Sequence, residues 1–440
     1  MEIIGLIGIF AALAFFIVAA MKGYTVMITA PITAAIIILT NQMNLVEYMI
    51  SDPTNSFMVG LGNFVRNNFP IFVLSAIFGK YLDASGAAKT LADWLMGKIG
   101  KNSDFAVVMG IGIVTAILTY GGVSLFVVMF AIIPIAKPMF EEMDLPWHLF
   151  VAPFAFGACS FTMCMIPGTP NNCNIITAAG CGVTITSAPI LGVTATIITI
   201  VLSALYIKWS IKRARAKNEH YDCTLEINEV KPDVMPGIVE AVVPMIALLV
   251  FVFGGSALQI PNSILLAMIV GIVFAAFVYR KNLKGEQKKV IGQGASDAMA
   301  PILFTAAATG IGSVLAASSG FVVLRDLIFA MPGGPLVSAS TMVFILGAIL
   351  GTGTAACSIV IQNFLDFYLS TGVNPAILYK IMAVTAGIGG AFPNAGGMFA
   401  MLTAMGLTHK QGYKHFFAIS VVCSGVALIV ILLMGMAGIA

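Results

Sequence analysis

Uncharged apolar runs separated by short lysine and arginine clusters set the rhythm of this chain. A run of roughly 20 residues at 1.5 Å rise each is one membrane helix. On that ruler, helices are expected at 3–20, 24–40 and 68–82, with a polar, slightly acidic stretch at 41–55. A basic amphipathic connection follows, carrying Lys80, Lys89, Lys98 and Lys101. Later helices are expected at 235–253, 261–279 and 298–317, with a basic loop at Arg280, Lys281, Lys284, Lys288 and Lys289.

Two runs are too long for one crossing and too short for two. One lies between Asp104 and Lys137, with Tyr120-Gly121-Gly122-Val123-Ser124 near its middle. The other lies between the Pro332-Gly333-Gly334-Pro335 turn and Asp366, with Gly351-Thr352-Gly353-Thr354 near its middle. Each is expected to be a re-entrant hairpin, over 105–136 and 336–365. Two more runs are interrupted, at Ile166-Pro167-Gly168-Thr169-Pro170-Asn171-Asn172 and at Phe392-Pro393-Asn394-Ala395-Gly396-Gly397. Proline removes backbone donors there, so broken helices are expected over 149–180 and 376–403. Non-helical backbone at membrane depth is tolerated only where protein buries it or it lines a watery cavity.

The plan repeats. Pro70, Gly79, Leu82 and Asp93 recur as Pro301, Gly312, Leu315 and Asp326, and the break at Pro167 recurs at Pro393. The expected fold is an all-α polytopic membrane protein with two inverted repeats, 1–210 and 235–440, each of about five transmembrane helices plus one re-entrant hairpin. The linker, 211–234, follows the strongest basic cluster (Lys208, Lys212, Arg213, Arg215, Lys217) and is expected in the cytoplasm, with both termini outside. The start of the chain lacks a basic n-region and a cleavage site, so its first helix is expected to be retained.

Composition agrees. The 440 residues are 59% hydrophobic and only 9% charged, where a soluble domain carries about 25% charged residues. The net charge of +3 sits in short loops and gives no reason to expect a nucleic-acid partner. The seven cysteines have no zinc-like spacing and are expected to pack; no cofactor is expected.

Mid-depth tips and breaks can replace the hydration of an anion with backbone N–H groups and short polar side chains. The expected binding residues are Thr119, Gly121, Gly122 and Ser124 on the first tip and Thr352, Gly353, Thr354 and Ser358 on the second. Thr169, Asn171, Asn172 and Asn174 belong to the first break and Asn394 to the second. No acid stands out as a proton carrier; Asp83 and Asp366 are the candidates, and His148 is expected at the interface rather than in a relay. Sodium would suit the same oxygen-rich set. An intramembrane enzyme would need a buried acid–base or Ser–His set, which is not visible. A channel fits broken helices poorly.

The run from Ile166 to Ile176, with Gly182-Val183-Thr184 and Ala188-Pro189-Ile190-Leu191-Gly192 after it, resembles the gluconate permease family of the ion transporter superfamily. The resemblance implies inverted repeats with two hairpins and two broken helices, elevator-like movement, a homodimer, and proton-coupled uptake of hydroxy-carboxylates across a bacterial inner membrane. Gluconate carriers of the family have a histidine in a Pro-Pro-His-Pro-Gly-Pro run; here the stretch is Ile166-Pro167-Gly168-Thr169-Pro170. That turns the expectation toward a short acid such as 3-hydroxybutyrate or lactate, with gluconate symport or cation/proton antiport as alternatives.

Overall fold

The computed structural model describes residues 2–22, 24–98, 103–123, 125–223, 235–258, 260, 263–392 and 395–440. Regular structure among them is helical. The first half runs α1 (Glu2–Met21), α2 (Val26–Thr40), α3 (Phe57–Ala84), α4 (Ala87–Lys98), α5 (Asp104–Tyr120), α6 (Leu125–Glu142), α7 (Val151–Ala158), α8 (Phe161–Cys164), α9 (Asn172–Gly180) and α10 (Pro189–Ala216). The second runs α11 (Ile238–Ala257), α12 (Ser263–Val278), α13 (Gln287–Ala317), α14 (Ser319–Phe329), α15 (Gly334–Leu350), α16 (Gly353–Ser370), α17 (Pro375–Gly389), α18 (Gly396–Ala404), α19 (His409–Phe417) and α20 (Ser424–Met436).

Among the described residues, five helical stretches are long and apolar enough to cross a bilayer: Trp147–Cys164, Pro189–Ala216, Ile238–Gly255, Gln287–Ala317 and His409–Met436. Several shorter apolar helices, among them Val26–Thr40 and Ser263–Val278, accompany them. Trp147–Cys164 is almost wholly enclosed by protein, whereas Pro189–Ala216 leaves most of its surface outside.

Contacts in one half have counterparts in the other. α1 packs on α2 and on α14, while α11 packs on α12 and on α4. Likewise α2 lies against α13 and α12 against α3; α5 lies against α7 and α15 against α17. The most extensive packing joins α3 to α13. Lipid tails are as apolar as leucine, so such a seam is held by close approach of small residues. A Cβ added to Gly60 would sit 2.2 Å from Ser313 Oγ, and one added to Gly294 2.7 Å from Ile77 Cα.

Several boundaries differ from the sequence reading. α3 starts at Phe57 rather than 68 because Asn63, Arg66 and Asn67, polar enough to suggest a loop, are helical residues lining a cavity. α13 starts at Gln287 rather than 298, its polar first turns continuing the helix. Each expected hairpin is two helices, α5–α6 and α15–α16, turning through Gly122 (φ +89°) and Gly351 (φ +64°). Positive φ suits residues without a Cβ. The legs extend past the expected limits, to Glu142 and Ser370. The first broken helix is interrupted twice, at 159–160 as well as at 165–171. The residues at the second break, Pro393 and Asn394, lie outside the described residues, as does Ser124.

Candidate substrate-binding site

The first break is built from its own asparagines. Pro167 and Pro170 lack N–H groups, so the chain between α8 and α9 finds other partners. Gly168 N donates to Ile185 O at 3.1 Å. Asn171 is the N-cap of α9, its Oδ1 accepting from Cys173 N at 3.0 Å. Asn174 is fully buried; its Nδ2 donates to Thr169 O at 3.0 Å and its Oδ1 accepts from Tyr379 Oη at 2.6 Å. Thr169 Oγ1 donates to Ile166 O at 2.9 Å. Asn172 is half-buried and accepts a long 3.4 Å bond from Ser75 Oγ on α3.

Three elements converge on this break. α9 packs against both α16 and α17, and α16 packs against α17. At the second tip the approach is backbone to backbone: a Cβ on Gly353 would lie 2.1 Å from Ala386 O of α17. Thr354, Cys164 and Cys357 lie near the buried Cys173 thiol. Ser358, one turn along α16, has a buried Oγ with no hydrogen-bond partner. Thr352 stands at the N-cap of α16.

Lys380 of α17 is fully buried at this crossing. Its Nζ lies 3.2 Å from Tyr379 Oη, 3.5 Å from Cys164 O and 4.8 Å from the Tyr379 ring centroid. No carboxylate lies within ion-pair distance of it among the described residues. A buried ammonium ordinarily requires a paired anion, since desolvation costs several kcal/mol per ion.

A cavity of about 350 Å³ opens further along α16. Its walls include Asn63, Arg66 and Asn67 of α3, Ser313 of α13, and Gln362 and Asn363 of α16. No carboxylate among the described residues lines it. Gln362 is one helical turn beyond Ser358. Thr354, Ser358 and Gln362 recur every four residues along α16, and Gln362 shares the cavity wall with Arg66.

The first tip has other neighbours. Thr119 Oγ1 donates to its own helix at Thr115 O, 2.8 Å away. Gly121 abuts Met245, and Gly122 abuts Phe78 and Leu248. Its link to the first break is Tyr120 Oη donating to Pro167 O at 3.2 Å. Asn171, Asn174, Thr169, Thr354 and Ser358 therefore gather around α9, α16 and α17, while Gly121 and Gly122 sit with α3 and α11 and Thr119 turns back onto its own helix.

Sequence reasoning missed Lys380, Tyr379 and the cavity at Arg66. The signal for Lys380 was a lone charge in the apolar run between Asp366 and Lys410. Asp83, a candidate proton carrier, pairs with Lys80 at 3.6 Å, and Lys80 also reaches Asp297 at 3.7 Å. The ring of His148, expected at the interface, bonds His415 and Glu219, each at 2.9 Å, and His415 bonds Tyr206 at 3.0 Å.

The model of the GntP family permease matches residues 3–437. The chain belongs to the GntP permease family. The uncharacterized transporter YxjC of Bacillus subtilis (strain 168) is 27% identical over 98% of this chain and 99% of its own. The crystal structure of the Alcanivorax borkumensis YdaH transporter superposes with a TM-score of 0.55 at 14% identity, over 86% of this chain and 87% of that one. At that identity the likeness concerns the fold alone. Membership makes this GntP protein a multi-pass membrane transporter and not an enzyme.

Proposed function

We propose that the protein is a proton-coupled symporter of a small hydroxy-carboxylate, a 3-hydroxybutyrate-like acid, in the bacterial inner membrane. The observation that carries this reading is the placement of two cations, Arg66 at the cavity mouth and Lys380 at the buried crossing, neither paired with a carboxylate among the described residues. A substrate carboxylate supplies the missing charge. The amides of Asn63, Asn67, Gln362 and Asn363 offer partners for one or two hydroxyls. The Pro167-Gly168-Thr169-Pro170 run, standing where gluconate carriers have a histidine, favours a short acid over a sugar acid.

Coupling follows from Coulomb's law. A protonated Lys380 and a carboxylate favour each other's presence, and each alone is costly in a low-dielectric crossing. Proton and anion then move together as a neutral pair. The matched contacts of the two halves support inverted repeats, and alternating access by one group of helices against the α3–α13 seam fits them. The cytoplasmic linker, the outside termini and a homodimer belong to the same reading.

Uptake of labelled 3-hydroxybutyrate into proteoliposomes, with pH and sodium gradients imposed separately, tests it. Uptake driven by the pH gradient and unaffected by gluconate is expected. Drive by sodium alone, or competition by gluconate, would overturn the coupling or the substrate respectively.

A further inference from the structure

A second cavity, of about 310 Å³, lies between the last turns of α10, the turn Trp147–Phe150 and α19. Its lining includes His148, Trp209, Arg213, Lys217, Lys414 and His415. Glu219 is its single carboxylate and is already engaged, 2.9 Å from His148 and 3.9 Å from Lys217. Arg213 and Lys414 have no carboxylate within ion-pair distance among the described residues. Arg213 instead stacks its guanidinium over the Trp209 ring, 5.0 Å from the centroid.

The approach to this cavity is apolar. Ile190, Val193, Ile197, Val201, Leu205 and Trp209 are exposed and recur every three or four residues, forming one stripe down α10. Arg213 continues that stripe by one turn. α20 packs beside α10 and exposes Val426, Ile429 and Leu433, which widens the apolar face. A two-helix apolar face that ends in a tryptophan and then in unpaired cations has the polarity profile of a phospholipid: hydrocarbon, interface, phosphate.

We propose that this cavity holds the phosphate of an anionic phospholipid whose acyl chains lie on the α10–α20 face. Inorganic phosphate shares the charge but has no use for the stripe. A zwitterionic lipid brings its own cation into a cavity already rich in them. The site is independent of the transported acid, because none of its residues lines the crossing or the Arg66 cavity.

The test is native mass spectrometry of the purified protein with phosphatidylglycerol, phosphatidylcholine or inorganic phosphate, for the wild type and for Arg213→Gln/Lys414→Gln. The wild type should retain phosphatidylglycerol over phosphatidylcholine, and millimolar phosphate should not displace it. Removing two cations should weaken that retention by roughly tenfold or more. Equal retention of both lipids by the wild type would overturn the proposal, as would undiminished retention by the folded variant. Displacement by phosphate with no lipid preference would assign the cavity to a free anion and overturn the lipid part. If the variant does not fold, quenching that is stronger with brominated-chain phosphatidylglycerol than with brominated-chain phosphatidylcholine, the difference vanishing in Trp209→Phe, supports the site, and equal quenching of the wild type by the two lipids refutes it.

Discussion

Tyr379 Oη lies 2.6 Å from Asn174 Oδ1, so a hydroxyl on the first leg of the second broken helix closes the first break 205 residues away. The same oxygen lies 3.0 Å from Ile185 O and 3.2 Å from Lys380 Nζ. One phenol thereby joins both broken helices to the buried cation.

Tyr379→Phe keeps the ring and removes that hydroxyl. Asn174 Oδ1 and Lys380 Nζ each lose a buried partner, a loss of about 1–3 kcal/mol per unsatisfied group. A lower unfolding temperature in detergent is expected, together with reduced transport. An unchanged melting curve would show that the bond contributes nothing to the join.

Gly353→Ala should separate the second tip from α17. The added Cβ would fall 2.1 Å from Ala386 O, a contact with backbone that cannot rotate away. Gly292→Ala on α13 meets nothing within 4 Å and serves as the control. Expected outcomes are loss of uptake for the first and wild-type uptake for the second; normal uptake by Gly353→Ala would contradict the close-packed tip.

The linker after α10 is latched to the turn beyond α6. Asp144 accepts from Tyr221 N at 3.0 Å and pairs with His220 at 2.7 Å, while Trp147 N donates to Asp222. The bond from Tyr221 N, then that from His220, holds the Asp144 carboxyl below its usual value. A depressed carboxylate contributes stability above its unfolded pKa and loses it as pH falls through the folded one. Protease nicking of residues 217–222 should therefore rise on acidification below the ordinary carboxylate range. Asp144→Asn should show the nicking already at neutral pH. Equal resistance of both proteins at all pH values would refute the latch.

Much of this architecture was legible in the pattern of charge and apolar runs. The double glycines and prolines placed the turns at Gly122 and Gly351 and the interruption at Pro167, because those residues dictate backbone geometry locally. The polar start of α3 was misread because Asn63, Arg66 and Asn67 face a cavity, and hydropathy cannot separate a cavity wall from a loop. At the site, Asn171 and Asn174 stood out as amides clustered at a break. Lys380 did not, since its meaning depends on what surrounds it: Tyr379 beside it, Cys164 from α8, and no acid near. His148 likewise acquired its partners from α19 and the linker, contacts that sequence spacing does not reveal.

The most direct measurement is uptake of labelled 3-hydroxybutyrate under an inward proton gradient by the wild type and by Lys380→Met, which keeps the bulk and removes the charge. A charged hydrogen bond is worth about 1.5–3 kcal/mol, so gradient-driven uptake should fall by roughly 10- to 150-fold with folded protein at wild-type levels. Full proton-driven uptake by Lys380→Met would contradict the central claim that this buried lysine brings proton and carboxylate across together.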